Sequence, residues 1–242
     1  VPWLFARARG WDAINRTPGS ALRWSGGWET LLQGGSGATP SLEARVQIPR
    51  MQLLLPEQDA DQTLRLADVD LQLSGTPAAL QLSARADARR GGQRLQLQAA
   101  TVDGGRDGQG NWQATVRSLQ LQLQDAQLPG PWKLALAQPV RGSFTTATQQ
   151  LQLGAAQAQL TGPRPGTAVL SWEPLNWQGG NAGSLRSKGA LRNLPMEWMT
   201  LLARADLAAA GLSGNLVFDG LWDVTIAERI VARASLARRS GD

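Results

Sequence analysis

Leu119, Leu121 and Leu123 alternate with Gln120, Gln122 and Gln124. Successive side chains of a strand point to opposite faces, so a strand puts these leucines on one face and the amides on the other. A helix would scatter the same leucines around its circumference. The Leu-Gln-Leu signature recurs at 71–73, 80–82, 95–97 and 151–153, with Leu64/Leu66 and Leu134/Leu136 as relatives. Its spacing is irregular, which excludes a solenoid of fixed period. Leu, Ala, Gln and Arg are good helix formers, but the apolar residues repeat every second position, and the periodicity decides.

Gly (27) and Pro (13) fall mostly in clusters between the alternating segments: Gly75-Thr76-Pro77, Gly91-Gly92, Gly104-Gly105, Pro129-Gly130-Pro131 and Gly162-Pro163. These read as hairpin turns. The pattern predicts strands over 43–55, 63–73, 79–87, 93–102, 111–125, 132–138, 141–148, 150–160, 167–173, 183–192, 213–224 and 227–237, joined as an antiparallel meander. One helix is predicted at about 196–209: Pro195 suits the first turn, Glu197 the positive end, and Gly211 follows as a stop. The organisation is therefore a Trp/Gly-rich segment 1–40 without a readable pattern, a β-groove meander over 41–194, and a helix with a β-hairpin over 195–242.

Size turns this pattern into a functional question. Twelve strands at ~4.8 Å spacing and ~30 Å length make a face of roughly 1,700 Å², whereas a helix of about 14 residues covers about 200 Å². An apolar face of that size must close on itself, pack on a second sheet, or hold an apolar ligand. The opposite face carries Gln, Arg and Ser on strand after strand, and no long Greek-key crossover is evident. The expected fold class is mainly all-β, with the one short helix: an open, curved antiparallel sheet with one apolar concave face whose natural ligand is acyl chains, beside the alternative of an ordinary sandwich core.

Composition narrows the chemistry. Among 242 residues, 42% are hydrophobic, enough for a real core, and Leu (37), Ala (35) and Gln (23) dominate while Ile (4) and Val (10) are scarce. There is no Cys, His or Tyr. Thiol nucleophiles, Ser-His triads, His bases and nearly all structural zinc sites are thereby excluded, and no enzymatic activity is expected. Asp59/Asp61 and Asp68/Asp70 read as solvated pairs. Asp103–Asn111 faintly resembles a calcium loop but lacks the closing bidentate Glu, and reads as a long turn; no metal site is expected. Gly34-Gly35-Ser36-Gly37 lacks the Gly-Lys-Ser/Thr of a phosphate loop.

The net charge of +5 comes from scattered arginines, with only Lys133 and Lys188 as lysines and no run longer than Arg89-Arg90 or Arg238-Arg239. Without a basic stripe or aromatic interleaving, nucleic acid is not an expected partner. Eight of the ten tryptophans (Trp24, Trp28, Trp112, Trp132, Trp172, Trp177, Trp198 and Trp222) fall near predicted turns or strand ends, as rings that cap a sheet do. No stretch of 18 apolar residues and no charged-then-apolar signal peptide occurs, and the chain reads as an excerpt, so this says nothing about a parent chain's anchor or export.

In the C-terminal third, Leu194-Pro195-Met196-Glu197-Trp198, then Gly211 to Asp223 (GLSGNLVFDGLWD), then Ala237-Arg238-Arg239-Ser240-Gly241-Asp242 resemble the TamB family of translocation and assembly module subunits, within the AsmA-like superfamily. Pro129 to Leu134 and Leu160 to Pro163 are similar in kind, and the resemblance is specific over about 110–242. It implies a periplasmic location within an inner-membrane-anchored Gram-negative envelope protein. It further implies an elongated, taco-like β-groove with an apolar interior that moves phospholipids between membranes, and an outer-membrane barrel partner in outer-membrane protein assembly. The family offers no catalytic residues to carry over.

The expected site is a passive lining for phospholipid acyl chains, made of Leu64, Leu66, Leu71, Leu73, Leu80, Leu82, Leu95, Leu97, Leu119, Leu121, Leu123, Leu134, Leu136, Leu151 and Leu153. No cofactor is needed. Burying one sixteen-carbon chain is worth on the order of 10 kcal/mol, at about 0.8 per methylene, before entropy is subtracted. Two other classes compete: a scaffold whose strand edges capture outer-membrane protein strands, and a Trp-dependent glycan-binding sandwich.

Overall fold

The computed structural model describes residues 21–25, 41–53, 63–179, 183–202, 214–227 and 229–241. Among the described residues the fold is all-β, with a single curved antiparallel sheet and one short helix. Its first strands are β1 (Ala21–Ser25), β2 (Leu42–Leu53), β3 (Leu64–Thr76), β4 (Ala79–Arg90), β5 (Gln93–Arg106) and β6 (Trp112–Asp125). Six shorter strands follow: β7 (Leu128–Leu136), β8 (Val140–Thr145), β9 (Gln150–Leu153), β10 (Ala156–Thr161), β11 (Ala168–Trp172) and β12 (Leu175–Gln178). The chain then forms β13 (Ser184–Pro195), the helix α1 (Met196–Leu202), β14 (Val217–Ile226) and β15 (Ile230–Ser240).

The six short strands are three long ones, each broken at mid-length. β7 and β8 both pair with β6, β10 pairs with β7 and β9 with β8, and β11 and β12 both pair with β13. The breaks fall at Ala137–Pro139, Gly154–Ala155 and Glu173–Pro174, where proline removes a ladder donor or glycine offers no side chain to pack. Backbone bonds from Ala137 to Gln157, Gly154 to Arg141 and Glu173 to Lys188 bridge the line of breaks. Counted this way, the sheet is an up-and-down meander of twelve strands.

Several sequence expectations change in detail. The segments 132–138 and 141–148 were expected as separate hairpin strands but belong to one broken strand, because Pro139 interrupts the ladder without reversing the chain. Residues 175–178 form a strand the pattern did not announce. Gly104-Gly105 and Pro129-Gly130-Pro131 lie inside β5 and β7 rather than in turns, and the reversals occur at Asp107–Gly110 and Ala126–Gln127. Within the unreadable first 40 residues, Ala21–Ser25 pairs with β2. The helix begins where expected, and residues 203–209 lie outside the described residues.

Register keeps one face apolar despite irregularities. β3 uses one extra residue against β4 between Ala67 and Asp70, with Asp68 in the left-handed region at φ 50. There the apolar positions of β3 switch from even (Leu64, Leu66) to odd (Val69, Leu71, Leu73), while β4 continues as Leu80, Leu82, Ala84, Ala86 and Ala88. Shifts between Leu97 and Ala99 and between Thr101 and Val102 do the same for β5 and β6. In β13 the shift lies between Leu191 and Leu194, with Asn193 at φ 58 and its N–H donated to Asp219 Oδ1 at 2.9 Å. Each bulge inserts one residue, and one residue is what it takes to return a strand to the common face.

The core is small and off-centre. Trp198 and Ala168 are fully buried and Trp132 is nearly so, with Leu160, Leu191, Leu194 and Leu201 packed around them. α1 is held over the apolar ends of β7, β10, β11 and β13 by Met196 N–H to Leu216 O at 2.8 Å and Trp198 Nε1–H to Arg164 O at 3.2 Å. Gly162 admits this packing: a Cβ there would lie 2.9 Å from Trp132 Cζ3 and 3.0 Å from Trp198 Cε2.

Candidate functional site

The predicted leucines fall into rows that cross the sheet. One row reads Met51, Leu66, Ala88, Leu95, Leu123, Trp132 from β2 to β7, and the next reads Ala86, Leu97, Leu121, Leu134, Leu160, Ala168 from β4 to β11. Val46, Leu71, Ala84, Ala100 and Leu119 form a third, and Ala44, Leu73, Leu82, Val102, Val116 and Val140 a fourth. Leu64 lies one position pair beyond Leu66, Leu80 stands between Gly75 and Gly104, and Leu136 stands opposite Ala158. Leu153 pairs with Gly142 and Leu175, and Leu151 with Phe144 and Trp177, in a row that continues through Leu185 and Ile226 to Ile230. All fifteen leucines therefore share one face.

None of the fifteen is buried. Leu82, Leu95, Leu123 and Leu151 are 37%, 45%, 38% and 39% exposed, and the other eleven are half-buried. Ala156, Ala158, Ala168 and Trp132, on β7, β10 and β11, are by contrast 0–8% exposed. The apolar face is thus packed shut beneath and beside α1, buried again at Leu42, Ile48 and Val69 on β2 and β3, and most open to solvent over β4 to β6.

Two indoles on this face have an unanswered donor. Trp132 Nε1 and Trp172 Nε1 are buried and find no acceptor among the described residues, whereas Trp198 Nε1 reaches Arg164 O and Trp222 Nε1 reaches Ser187 Oγ at 3.1 Å. A buried donor without an acceptor costs about 1–3 kcal/mol. Trp172 stands opposite Ala156 on one side and Gly189 on the other, and the Trp222 ring lies over Gly189.

The opposite face is polar and internally compensated. Arg45 binds Asp70 through two bonds of 2.8 and 3.1 Å, and the bound guanidinium is the main cause holding the Asp70 carboxyl below its usual range. Asp87 is buried, accepting from Arg94 and Gln96 with Arg89 3.5 Å away, and its carboxyl is likewise lowered, chiefly by the Arg94 bond. Gln96, Gln98 and Gln122 join amide to amide at 3.0–3.2 Å. A depression of about 610 Å³ is lined in part by Glu173, Lys188, Asp223 and Arg233. Glu173 pairs there with Lys188 at 2.8 Å, and Asp223 stands between Lys188 and Arg233 in register.

The carboxylates weighed from sequence have structural employment. Asp107 accepts the N–H groups of Gln109 and Asn111 at 2.9 and 2.8 Å and closes the Asp103–Asn111 loop as a turn. Asp68 forms the β3 bulge and Asp70 an ion pair, while Asp59, Asp61 and Gly34–Gly37 lie outside the described residues. Sequence reasoning missed the orphaned indoles of Trp132 and Trp172, and only their unusual number signalled that tryptophan mattered. Comparison with protein-family models, with curated proteins and with solved structures finds no match for this chain.

Proposed function

We propose that this chain is a segment of a lipid conduit whose apolar face shields phospholipid acyl chains from water. The observation that supports it most is that fifteen leucines share one continuous face and none of them is buried. A closed sandwich of the same leucines would bury most of them. An exposed apolar face this extensive calls for an apolar occupant, and unbranched acyl chains suit leucine rows that offer no polar group. Neighbouring rows offer nearly equal contacts, so a chain moves from one to the next with little change in binding free energy. The larger setting belongs to the same proposal, following the resemblance to TamB-like proteins: a periplasmic position within an inner-membrane-anchored protein, phospholipid passage between membranes, and an outer-membrane barrel partner linked to outer-membrane protein assembly.

The test is native mass spectrometry of the chain purified gently from a Gram-negative periplasm. Adducts of phospholipid mass are expected, and Leu121→Arg, in the middle of the open rows, is expected to reduce them while the β-sheet circular dichroism is retained. A clean ligand-free mass for the unmodified chain, indifferent to detergent, contradicts the proposal.

A second reading has one observation in its favour. β15 pairs only with β14 among the described strands, and its residues are exposed along its whole length, Ile230 at 73% and Val231 at 54%. Such an edge can capture an extended strand by backbone pairing, the scaffold role. Ala234→Pro removes a β15 ladder donor and is expected to abolish strand capture without affecting lipid adducts.

A further inference from the structure

We infer that Trp132 and Trp172 donate hydrogen bonds to ester carbonyl oxygens of the bound amphiphile, so that the apolar face selects ester-linked acyl lipids over hydrocarbon chains lacking a carbonyl. The inference rests on the lipid reading of that face and deepens it. Four described indoles line or border the closed half of the sheet, and two of them spend their N–H on Arg164 O and Ser187 Oγ. The two left over, Trp132 Nε1 and Trp172 Nε1, are buried on the face that carries the leucine rows.

The setting of Trp132 says where its donor is directed. Cε3 and Cζ3 of its benzo edge are the atoms nearest to Gly162, beside β10. Nε1 lies on the opposite, pyrrole side of an indole, and is therefore turned away from β10. On the other flank of β7 stands Leu123, register partner of Trp132 and 38% exposed. Trp132 thus marks the boundary between the half sealed by α1 and the open rows of β5 and β6. A chain lying along Leu95 and Leu123 ends against this ring. An indole N–H needs an acceptor, and methylenes have none. The acyl ester is the acceptor nearest to a lipid chain, so the donor fixes the carbonyl end while the leucines hold the tail. Trp172 stands next to the break at Glu173–Pro174, between Ala156 and Gly189.

The experiment compares binding of an ester-linked diacyl phosphatidylglycerol with its ether-linked analogue, which has the same head group and tails but no carbonyls. The full chain is expected to bind the ester lipid about threefold to tenfold more tightly, the size of one net hydrogen bond. Trp132→Phe, which keeps a ring against Trp198 but has no N–H, is expected to shrink that preference, read as the ratio of ester-lipid to ether-lipid affinity within the variant. Because the substitution falls in the core, the unmodified protein supplies a second readout: two indole ¹H–¹⁵N signals are expected to shift with the ester lipid and not with the ether lipid. Equal affinities, or indole signals indifferent to the linkage, overturn the donor assignment and leave the lipid reading standing. Binding of neither lipid overturns both.

Discussion

Trp132 meets Trp198 edge to face, with ring centroids 5.4 Å apart and planes at 87°. The pair joins a strand of the sheet to the only helix among the described residues, and it is the reason one half of the apolar face is sealed. Edge-to-face aromatic pairs contribute beyond their buried area, and Trp198 is fully buried besides. Trp198→Ala is therefore expected to destabilise the fold by about 3–5 kcal/mol, read as a lowered urea midpoint. Hydrogen exchange in the same variant is expected to rise at β7, β10 and β11 while β3 to β5 keep their protection.

Gly189 is the second point of close approach. A Cβ there would lie 2.3 Å from both Ser171 O and Trp222 Cζ2, and the first of these is backbone that cannot swing aside. Gly189→Ala is expected to cost about 1–3 kcal/mol by overpacking. Gly108→Ala, with open space around its Cβ position, is expected to be nearly neutral in the same denaturation experiment.

Acid stability depends on the polar face. The carboxyls of Asp87 and Asp70 are held below their ordinary values, each chiefly by hydrogen bonding to an arginine, Arg94 and Arg45 respectively. A depressed carboxyl stabilises the fold above its unfolded value, near 3.8, and the stabilisation is lost as pH falls from there through the folded value. Unfolding free energy is therefore expected to be flat near neutrality and to decline below about pH 4. Asp87→Asn is expected to lower stability at pH 7 by about 1–2 kcal/mol and to make the acid decline shallower. An unchanged decline would assign it to other carboxylates.

Much of this architecture was legible from Leu-Gln alternation, because a period of two has only one structural meaning and the leucines all had to share a face. What alternation does not contain is phase. Leu64 and Leu66 are even, Leu71 and Leu73 odd, and the bulge at Asp68 that reconciles them shows in the sequence only as an ordinary aspartate. Clusters of Gly and Pro were equally ambiguous. Gly91-Gly92 makes a turn, whereas Gly104-Gly105 sits inside β5, where a Cβ on Gly105 would collide with the Ala78 carbonyl. Openness was not legible either. Leu123 and Leu160 are the same residue type in the same pattern, and only the seat of α1, a tertiary fact, decides that one faces water and the other packs against Trp198.

The apolar face is most open over β4 to β6 and shut beside α1, and the absence of native cysteine makes this directly measurable. Single cysteines placed at Leu95 and at Ala158 can be titrated with a maleimide in the folded chain. Cysteine at Leu95, 45% exposed, is expected to react promptly and to be protected when phospholipid is added; cysteine at Ala158, 1% exposed, is expected to stay unreactive until the chain unfolds. Equal slow reaction at the two positions would mean that the leucine rows form a closed core, and would contradict the open face on which the proposed function stands.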